Sequence, residues 1–490
     1  MTRHTKIVAT LGPATDGPGV IDEMIAAGLD CARMNCSHGT AEDVRRRTHA
    51  VREAAQRAGR PVAVMLDLQG PKIRLGEIAP RSVQVGDEIV FVAPGPHGKP
   101  DDVRVELDGF DELVSERSHL IIGDGSPRFA VDRVDAGRVH ALAVSAGRVL
   151  ARKGIGVTHA RPSLPAITLK DLVDLDLAPE LDVDFVAQSF VRSAADVHEL
   201  RALLAERGAR AQLIVKVERV DAMERIEEIL NACDGVMVAR GDYGVEAGVE
   251  QVPVMQKQLI ARAAAAGKSI ITATQMLESM LVNSEPTRAE ASDVANAILD
   301  GTSAVMLSGE TSVGPHPVQA VRWMAKIAIA AEQNLKPCSN RSFELAEDSG
   351  AAVMSAAVQL ATQKGAAALI VPTTTGGSAR ACAKYRPGVP IVALAHDPGT
   401  AQQLALEWGV IPSTIPAPET VDDLIAAAIE HGAEVAALES GSLVVLTAGN
   451  IGEQGTTNLI VLRDVPARAE RDVRTPGVVT GSTGAAALTG

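Results

Sequence analysis

The chain has 490 residues, too many for one ordinary domain, so two to four domains are expected. A net charge of −14, with only two Trp and two Tyr, excludes nucleic acid as the main partner, because a duplex is repelled and little remains to stack on bases. Hydrophobic residues make up 46% but aromatics 2%, so the cores must be built from Val, Ile, Leu, Ala and Met, which suits buried parallel strands under helices.

Five cysteines (Cys31, Cys36, Cys233, Cys338, Cys382), odd in number and without zinc-ligand spacing, read as reduced thiols. The start MTRHTKIVATLGPAT enters strand-like sequence without an apolar signal core, and no run of about 18 apolar residues marks a membrane span. A cytoplasmic chain with no membrane partner is expected.

In chain order, short apolar runs alternate with helical patterns: KIVAT (6–10), CARMN (31–35), VAVMLDL (62–68), DFVAQSF (184–190), LIVKVE (213–218), GVMVARG (235–241), SIITATQ (269–275) and AVMLSGE (304–310). Amphipathic stretches such as VIDEMIAAG and AADVHELRALLAERG lie between them. Strand, helix, strand at this spacing means βαβ units and a parallel sheet. Eight runs are the number that closes a (β/α)₈ barrel. The glycine fingerprint of an open dinucleotide-binding sheet is absent, since LGPATDGPG does not fit it.

Residues 72–162 break the pattern with short Val/Gly segments punctuated by PGPHGKP, GDGSP and DAG, as in an antiparallel β domain. Removing this insert leaves 1–71 and 163–335, close to the roughly 250 residues of a typical barrel. An inserted antiparallel β-barrel lid is therefore expected. Residues 336–466 read as a C-terminal α/β domain, with strand-like AALIVPT, VPIVALA and SLVVLTA alternating with helical SARACAKYR, TAQQLALEWG and VDDLIAAAIEHG. Residues 467–490 read as a flexible tail.

In a parallel barrel the chemistry gathers at the carboxyl ends of the strands. Six of the eight runs end in polar residues two apart, a spacing that places each pair on one strand face: Arg33/Asn35, Asp67/Gln69, Lys216/Glu218, Arg240/Asp242, Thr272/Thr274 and Ser308/Glu310, with Ser189 ending the fourth run. Burying such charges around one mouth is costly unless they answer one another or a ligand. Glu218 and Asp242 are hard oxygen ligands suited to Mg²⁺. Arg33 and Arg74 offer planar forks for phosphate, and Lys216 a point charge where negative charge develops. Together these are the ingredients of phosphoryl transfer, and without a Walker A loop this is no P-loop enzyme.

The motifs RMNCSHG (33–39), LDLQGPKIRLG (66–76), KVERVDAMERIEEIL (216–230), VMVARGDYGVE (236–246), TATQMLESM (272–280), PTRAEASDVANAILDGTSAVMLSGET (286–311) and KYRP (384–387) resemble those of pyruvate kinases, in order over roughly residues 3–463. The resemblance implies phosphoryl transfer from phosphoenolpyruvate to ADP, giving pyruvate and ATP, with Mg²⁺ or Mn²⁺, in a homotetramer. It implies Lys216 as the lysine neutralising the moving phosphoryl group, Glu218 and Asp242 as metal ligands, and Arg33 and Arg74 as phosphate contacts. Thr274 matches the threonine beside the enolate carbon, and Ser189 a further substrate contact. The backbone around Ala239, Arg240, Gly241 and Asp242 would receive the substrate carboxylate. Pro13, Asn35 and His38 match nucleotide-side positions, joined from the lid by Asp124 and Lys153.

Many relatives need K⁺ in a site resembling Asn35, Ser37, Asp67 and the carbonyl of Leu68. Here Leu68 and Lys72 form the pairing of K⁺-independent relatives, and a lysine ammonium can place the missing unit charge. K⁺ is therefore not expected to be required. In the C-terminal domain, PTTTGGSAR (372–380) brings hydroxyls, glycines and free amides to a helix start, a phosphate cradle. The resemblance implies an allosteric effector at Thr373, Thr374, Thr375, Gly376, Gly377 and Ser378. The companion loop TAGNIGEQGTTN (447–458) has no Arg or Trp for a second phosphate, which favours AMP or a sugar monophosphate over a bisphosphate. Two rivals are another enolate-handling metal-dependent barrel, which would lack this lid and TATQMLESM, and a silent metabolite-sensing paralogue, which would not need Lys216, Glu218, Asp242 and Thr274.

Overall fold

A computed structural model describes residues 3–95, 98–123, 125–158, 164–335, 349–449 and 457–467. Eight parallel strands close a barrel: β1 (Lys6–Thr10), β2 (Cys31–Asn35), β3 (Ala63–Asp67), β4 (Phe185–Gln188), β5 (Gln212–Val217), β6 (Gly235–Ala239), β7 (Ser269–Ala273) and β8 (Ala304–Leu307). Each strand pairs with its successor in sequence, and β8 returns to β1 through Lys6↔Ala304 and Ile7↔Val305. The expected strands are all present, β1 and β2 with the bounds expected and the other six trimmed at their carboxyl ends.

Alternation along each strand divides the core in two. Val8, Cys31, Met65, Phe185, Ile214, Met237, Ile271 and Met306 fill the barrel interior. Their neighbours, among them Ile7, Ala32, Val64, Val186, Val215, Val236, Ile270 and Val305, face the surrounding helices. The floor of the barrel is supplied from outside it, because Ala405 and Leu406 of the C-terminal domain join the interior cluster. The buried Lys6 Nζ donates to the Val410 carbonyl (2.6 Å), and Ser269 Oγ at the start of β7 donates to Glu407 Oε2 (2.5 Å). The amino-terminal end of the barrel is thus covered by the C-terminal domain.

The insert between β3 and β4 forms a six-stranded sheet and a two-stranded one, antiparallel except for the pairing of Glu88–Val92 with Val103–Arg104. Bridges from Arg74 to Gly154 and from Leu75 to Val105 join the two edges of the larger sheet, so the outgoing hinge is also its closing seam. Aromatics are concentrated here. Phe91 and Phe129 meet edge to face at 5.3 Å, and Phe110 joins the same core. A small β domain with only the short helix Phe110–Leu113 among its described residues needs large side chains to exclude water.

The C-terminal domain is a five-stranded sheet in the order Val410–Thr414, Ile391–Ala395, Ala368–Thr373, Leu443–Gly449, Thr457–Asp464, with the last strand antiparallel. Sequence reasoning missed both edge strands. Val410–Thr414 holds Pro412, which an edge tolerates, and Thr457–Asp464 carries polar residues among its apolar ones. Among the described residues no helix is long and apolar enough to cross a membrane. The expected tail from residue 468 onward lies outside the described residues.

Candidate active site

Asp67 ends β3 and is 1% exposed, and it is the centre of the constellation. Its Oδ2 accepts from Arg33 Nε on β2 at 2.6 Å, and its Oδ1 lies 3.1 Å from Lys216 Nζ on β5. Lys216 Nζ also lies 2.9 Å from Glu218 Oε1 and donates to Ser189 Oγ at 2.7 Å. Ser189 passes a hydrogen bond on to the Leu68 carbonyl (2.7 Å), while Arg33 Nη1 donates to Thr10 Oγ1 (2.8 Å). Residues from five strand ends are thus tied into one network.

The electrostatics follow from burial and pairing. Burial favours the neutral form of Asp67, but Arg33 and Lys216 outweigh it and hold the carboxyl below its usual range. For Lys216 the same contest is won by Asp67 and Glu218, which raise the ammonium above its ordinary value. Glu218 goes the other way. Burial, reinforced by Asp242, holds it above the usual carboxylate range despite Lys216.

Glu218 Oε2 accepts from the amide of Phe190 (2.7 Å), whose φ of 56° turns that N–H inward. Its Oε1 is buried and faces Lys216 at 2.9 Å without the alignment of a hydrogen bond. Glu218 and Asp242 line one cleft of about 940 Å³, open mouth included, between the lid and the barrel. Two carboxylates at an open edge fit Mg²⁺, which completes its shell with substrate oxygens and water. No group of three or more His, Cys, Asp or Glu suited to a metal occurs among the described residues.

The period-two expectation fails at β6, β7 and β8. β6 stops at Ala239, so Arg240 and Asp242 belong to a helix, Arg240–Ala247, and point apart. Arg240 donates to the carbonyls of Ala273 (3.1 Å) and Thr274 (2.6 Å) and pairs with Asp293 at 2.7 Å. Asp242 instead meets Lys72 Nζ at 3.1 Å. Thr272 is buried against Thr302, whereas Thr274 and Gln275 take φ of 70° and 54°, swinging the Thr274 hydroxyl to the helix start. There Thr274 Oγ1 accepts from Gly241 N (3.0 Å) and donates to the Ala273 carbonyl (2.6 Å). Glu310 is wholly buried and accepts from the amides of Leu277 and Ser308.

Among the residues expected on the nucleotide side, Asn35 Oδ1 accepts from Ser37 N at 3.1 Å. His38 is held below the usual imidazole range by burial and by Arg74, Arg33 and Lys72. It stays neutral among three cations. Pro13 opens a turn, Pro13–Thr15, whose preceding Gly12 has no room for a Cβ, which would stand 2.4 Å from the Ser312 carbonyl. Lys153 offers its carbonyl to Leu75 N, and its stem lies beside Gly123. Asp124 lies outside the described residues. Lys72 Nζ is therefore brought to Asp242 and not to the Asn35–Ser37–Asp67 set. Cys36 is inert, its thiol pushed up to about 12 by burial and by Asp174 and Asp67.

Sequence reasoning missed Asp171. Wholly buried, it accepts from Gly70 N at 3.1 Å and from Thr168 N and Oγ1 at 2.9 and 2.7 Å, tying the two legs of the lid together. The signal was present in TLKD (168–171), a capping-box spacing.

Comparison with known proteins agrees with this geometry. Residues 2–321 match the family described as pyruvate kinase, barrel domain, and residues 351–462 match pyruvate kinase, alpha/beta domain. The chain is 40% identical to the pyruvate kinase of Geobacillus stearothermophilus over 96% of its own length and 82% of that relative's. It is 39% identical to those of Sporosarcina psychrophila and Bacillus licheniformis, at the same coverage. With a closed barrel, a β insert and an α/β domain in the same order, this chain belongs to the pyruvate kinase family.

Proposed function

We propose that the enzyme moves the phosphoryl group of phosphoenolpyruvate to ADP at the mouth around Lys216. The observation that carries this reading is the Lys216 ammonium held between Asp67, Glu218 and Ser189 at the open end of the barrel. There it faces the oxygens on which charge spreads as the phosphoryl group leaves. Arg33, oriented by Asp67 and Thr10, grips the same group with its remaining nitrogen, Nη2. Glu218 and Asp242 would hold Mg²⁺ or Mn²⁺, which supplies Lewis-acid neutralisation of substrate oxygens.

Gly241, Asp242 and their neighbours at the helix start receive the substrate carboxylate. Thr274, clamped by Arg240, holds its hydroxyl where the enolate carbon takes its proton. Ser189 fixes the lysine. On the other side of the mouth, His38, Asn35, Pro13, Arg74 and Lys153, with Asp124 from the lid, bind ADP. A homotetramer in the cytoplasm is part of the same reading.

Turnover proceeds without K⁺. Asp67, which would answer that ion, already has two internal cations, and the Leu68 carbonyl is taken by Ser189. Lys72 supplies the remaining charge beside Asn35 and Ser37 once it leaves Asp242. A lactate-dehydrogenase-coupled assay with phosphoenolpyruvate, ADP and Mg²⁺ in tetramethylammonium buffer tests this. Added K⁺ is expected to change kcat less than twofold (about 0.4 kcal/mol). Near-zero turnover restored by K⁺ overturns it.

A phosphorylated activator, AMP or a sugar monophosphate, binds at Thr373–Ser378. Thr373 Oγ1 accepts from Gly376 N (2.9 Å), Ser378 Oγ meets Thr457 Oγ1 (2.9 Å), and Gly376 starts the helix Gly377–Lys384 with a φ of 83°. Much of the companion loop, residues 450–456, lies outside the described residues. Thr375→Asp, which adds a negative charge there, is expected to abolish activation while leaving basal kcat within about twofold. An unchanged response to both classes of activator would place the site elsewhere.

A further inference from the structure

The Lys72–Asp242 pair has no counterpart in the roles assigned above. Lys72 stands on the outgoing leg of the lid, five residues past the end of β3 at Asp67. Its stem crosses Gly154 on the returning lid strand, where a Cβ would lie 3.1 Å from Lys72 Cε. Its ammonium ends 3.1 Å from Asp242 Oδ1, with the two side chains 33% and 36% exposed. Two residues beyond Gly154, Gly156 rests on the helix that carries Asp242, where a Cβ would lie 2.8 Å from Val245 Cγ1. The lid thus meets helix Arg240–Ala247 twice, by an apolar contact of strand Ile155–Val157 at Val245 and by the Lys72 ion pair at Asp242.

The geometry points to Lys72 as an internal competitor of the divalent cation for Asp242, so that metal binding opens the polar half of a lid latch. This rests on the reading of Asp242 as a metal ligand. One carboxylate oxygen cannot keep a close ammonium and a divalent cation together, because the metal would be the largest local charge and would repel the lysine. Loading the site therefore frees Lys72, and the intact pair lowers metal affinity in the free enzyme. The freed ammonium has a destination. Lys72 acts electrostatically on His38 together with Arg33 and Arg74, and Arg33 pairs with Asp67, so that corner lies on the side to which the freed lysine would turn. The apolar contact of Gly156 with Val245 survives the exchange and keeps the lid on the helix while the charge moves.

The test is Mn²⁺ binding to the free full-length enzyme, followed by electron paramagnetic resonance without substrates. Lys72→Met is expected to tighten Mn²⁺ about fivefold or more, the size of an ordinary coupling between two ligands. Lys72→Arg, which keeps the charge, should stay near wild type. Arg74→Met removes a second cation of the same lid leg, one that also acts on His38, without touching Asp242, and should change affinity less than twofold. Equal gains from Lys72→Met and Arg74→Met would reduce the pair to a diffuse field and overturn the proposal, as would no gain from Lys72→Met.

Asp242→Asn separates the two layers of the argument. If it weakens Mn²⁺ while Lys72→Met has no effect, the latch is wrong and the metal reading stands. If it leaves Mn²⁺ unchanged, the metal reading fails and the latch with it. In the Asp242→Asn background, Lys72→Met should have no further effect, and a persistent gain there would also contradict competition at that carboxylate.

Discussion

Lys216→Met is expected to lower kcat by about 10³-fold or more while changing the KM for phosphoenolpyruvate less than about tenfold. Removing one preorganised donor from a site of developing charge costs about 10²–10³ in kcat, and here a full unit charge is lost. On the proposed reading the effect falls on kcat, because charge spreads over the phosphoryl oxygens as the bond breaks and Arg33 would remain to bind the ground state. Methionine keeps the length and apolar stem of lysine, so the barrel interior below it is undisturbed. It also leaves Glu218 without its cation. Burial and Asp242 already raise that carboxyl, and without Lys216 it rises further. Metal binding by the variant should therefore be weaker at pH 6 than at pH 8, a difference that titration calorimetry can read.

The largest expected effect on stability comes from Asp67→Asn. The substitution keeps the shape of the side chain and removes the charge between Arg33 and Lys216, one of them 10% and the other 13% exposed. Breaking a buried pair by removing one partner costs about 3–5 kcal/mol, because the remaining charge is left uncompensated. For a barrel of this size that corresponds to a fall in Tm of about 10 °C. The sign of the pH dependence follows from the depressed pKa of Asp67. Its contribution is present above the unfolded value, near 3.8, and is lost as pH falls through the lower folded value. The variant should therefore lose less stability than wild type on acidification below pH 4, as thermal melts across that range would show.

Much of this was legible in the residues because parallel strands buried on both faces must be apolar runs, and eight such runs could close only one way. The antiparallel edge Thr457–Asp464 and the Pro-containing edge Val410–Thr414 carry no such signature. In the site, Arg33, Asp67, Ser189, Lys216 and Glu218 converge because each ends a strand of the same barrel or directly follows one. The reading of paired residues on one face holds while the backbone stays extended. It fails at Arg240 and Asp242, where a helix begins, and at Thr274, where two successive non-glycine residues take positive φ.

Nothing in TATQMLESM announces that strain, because the clamp that maintains it, Arg240 with Asp293, comes from elsewhere in the chain. The pairing of Lys72 with Asp242 spans 170 positions and depends on how the lid lies. Sequence reasoning placed that lysine toward the site of Asn35, Ser37, Asp67 and the Leu68 carbonyl.

The central claim is that the charge of Lys216 drives transfer at the barrel mouth. Single-turnover formation of ATP from phosphoenolpyruvate and ADP, measured by quenched flow with Mg²⁺ in wild type and Lys216→Met, tests it most directly. The prediction is rapid ATP formation in the wild-type enzyme and a rate about 10³-fold lower in the variant, with phosphoenolpyruvate still bound. Equal single-turnover rates in the two proteins would contradict it.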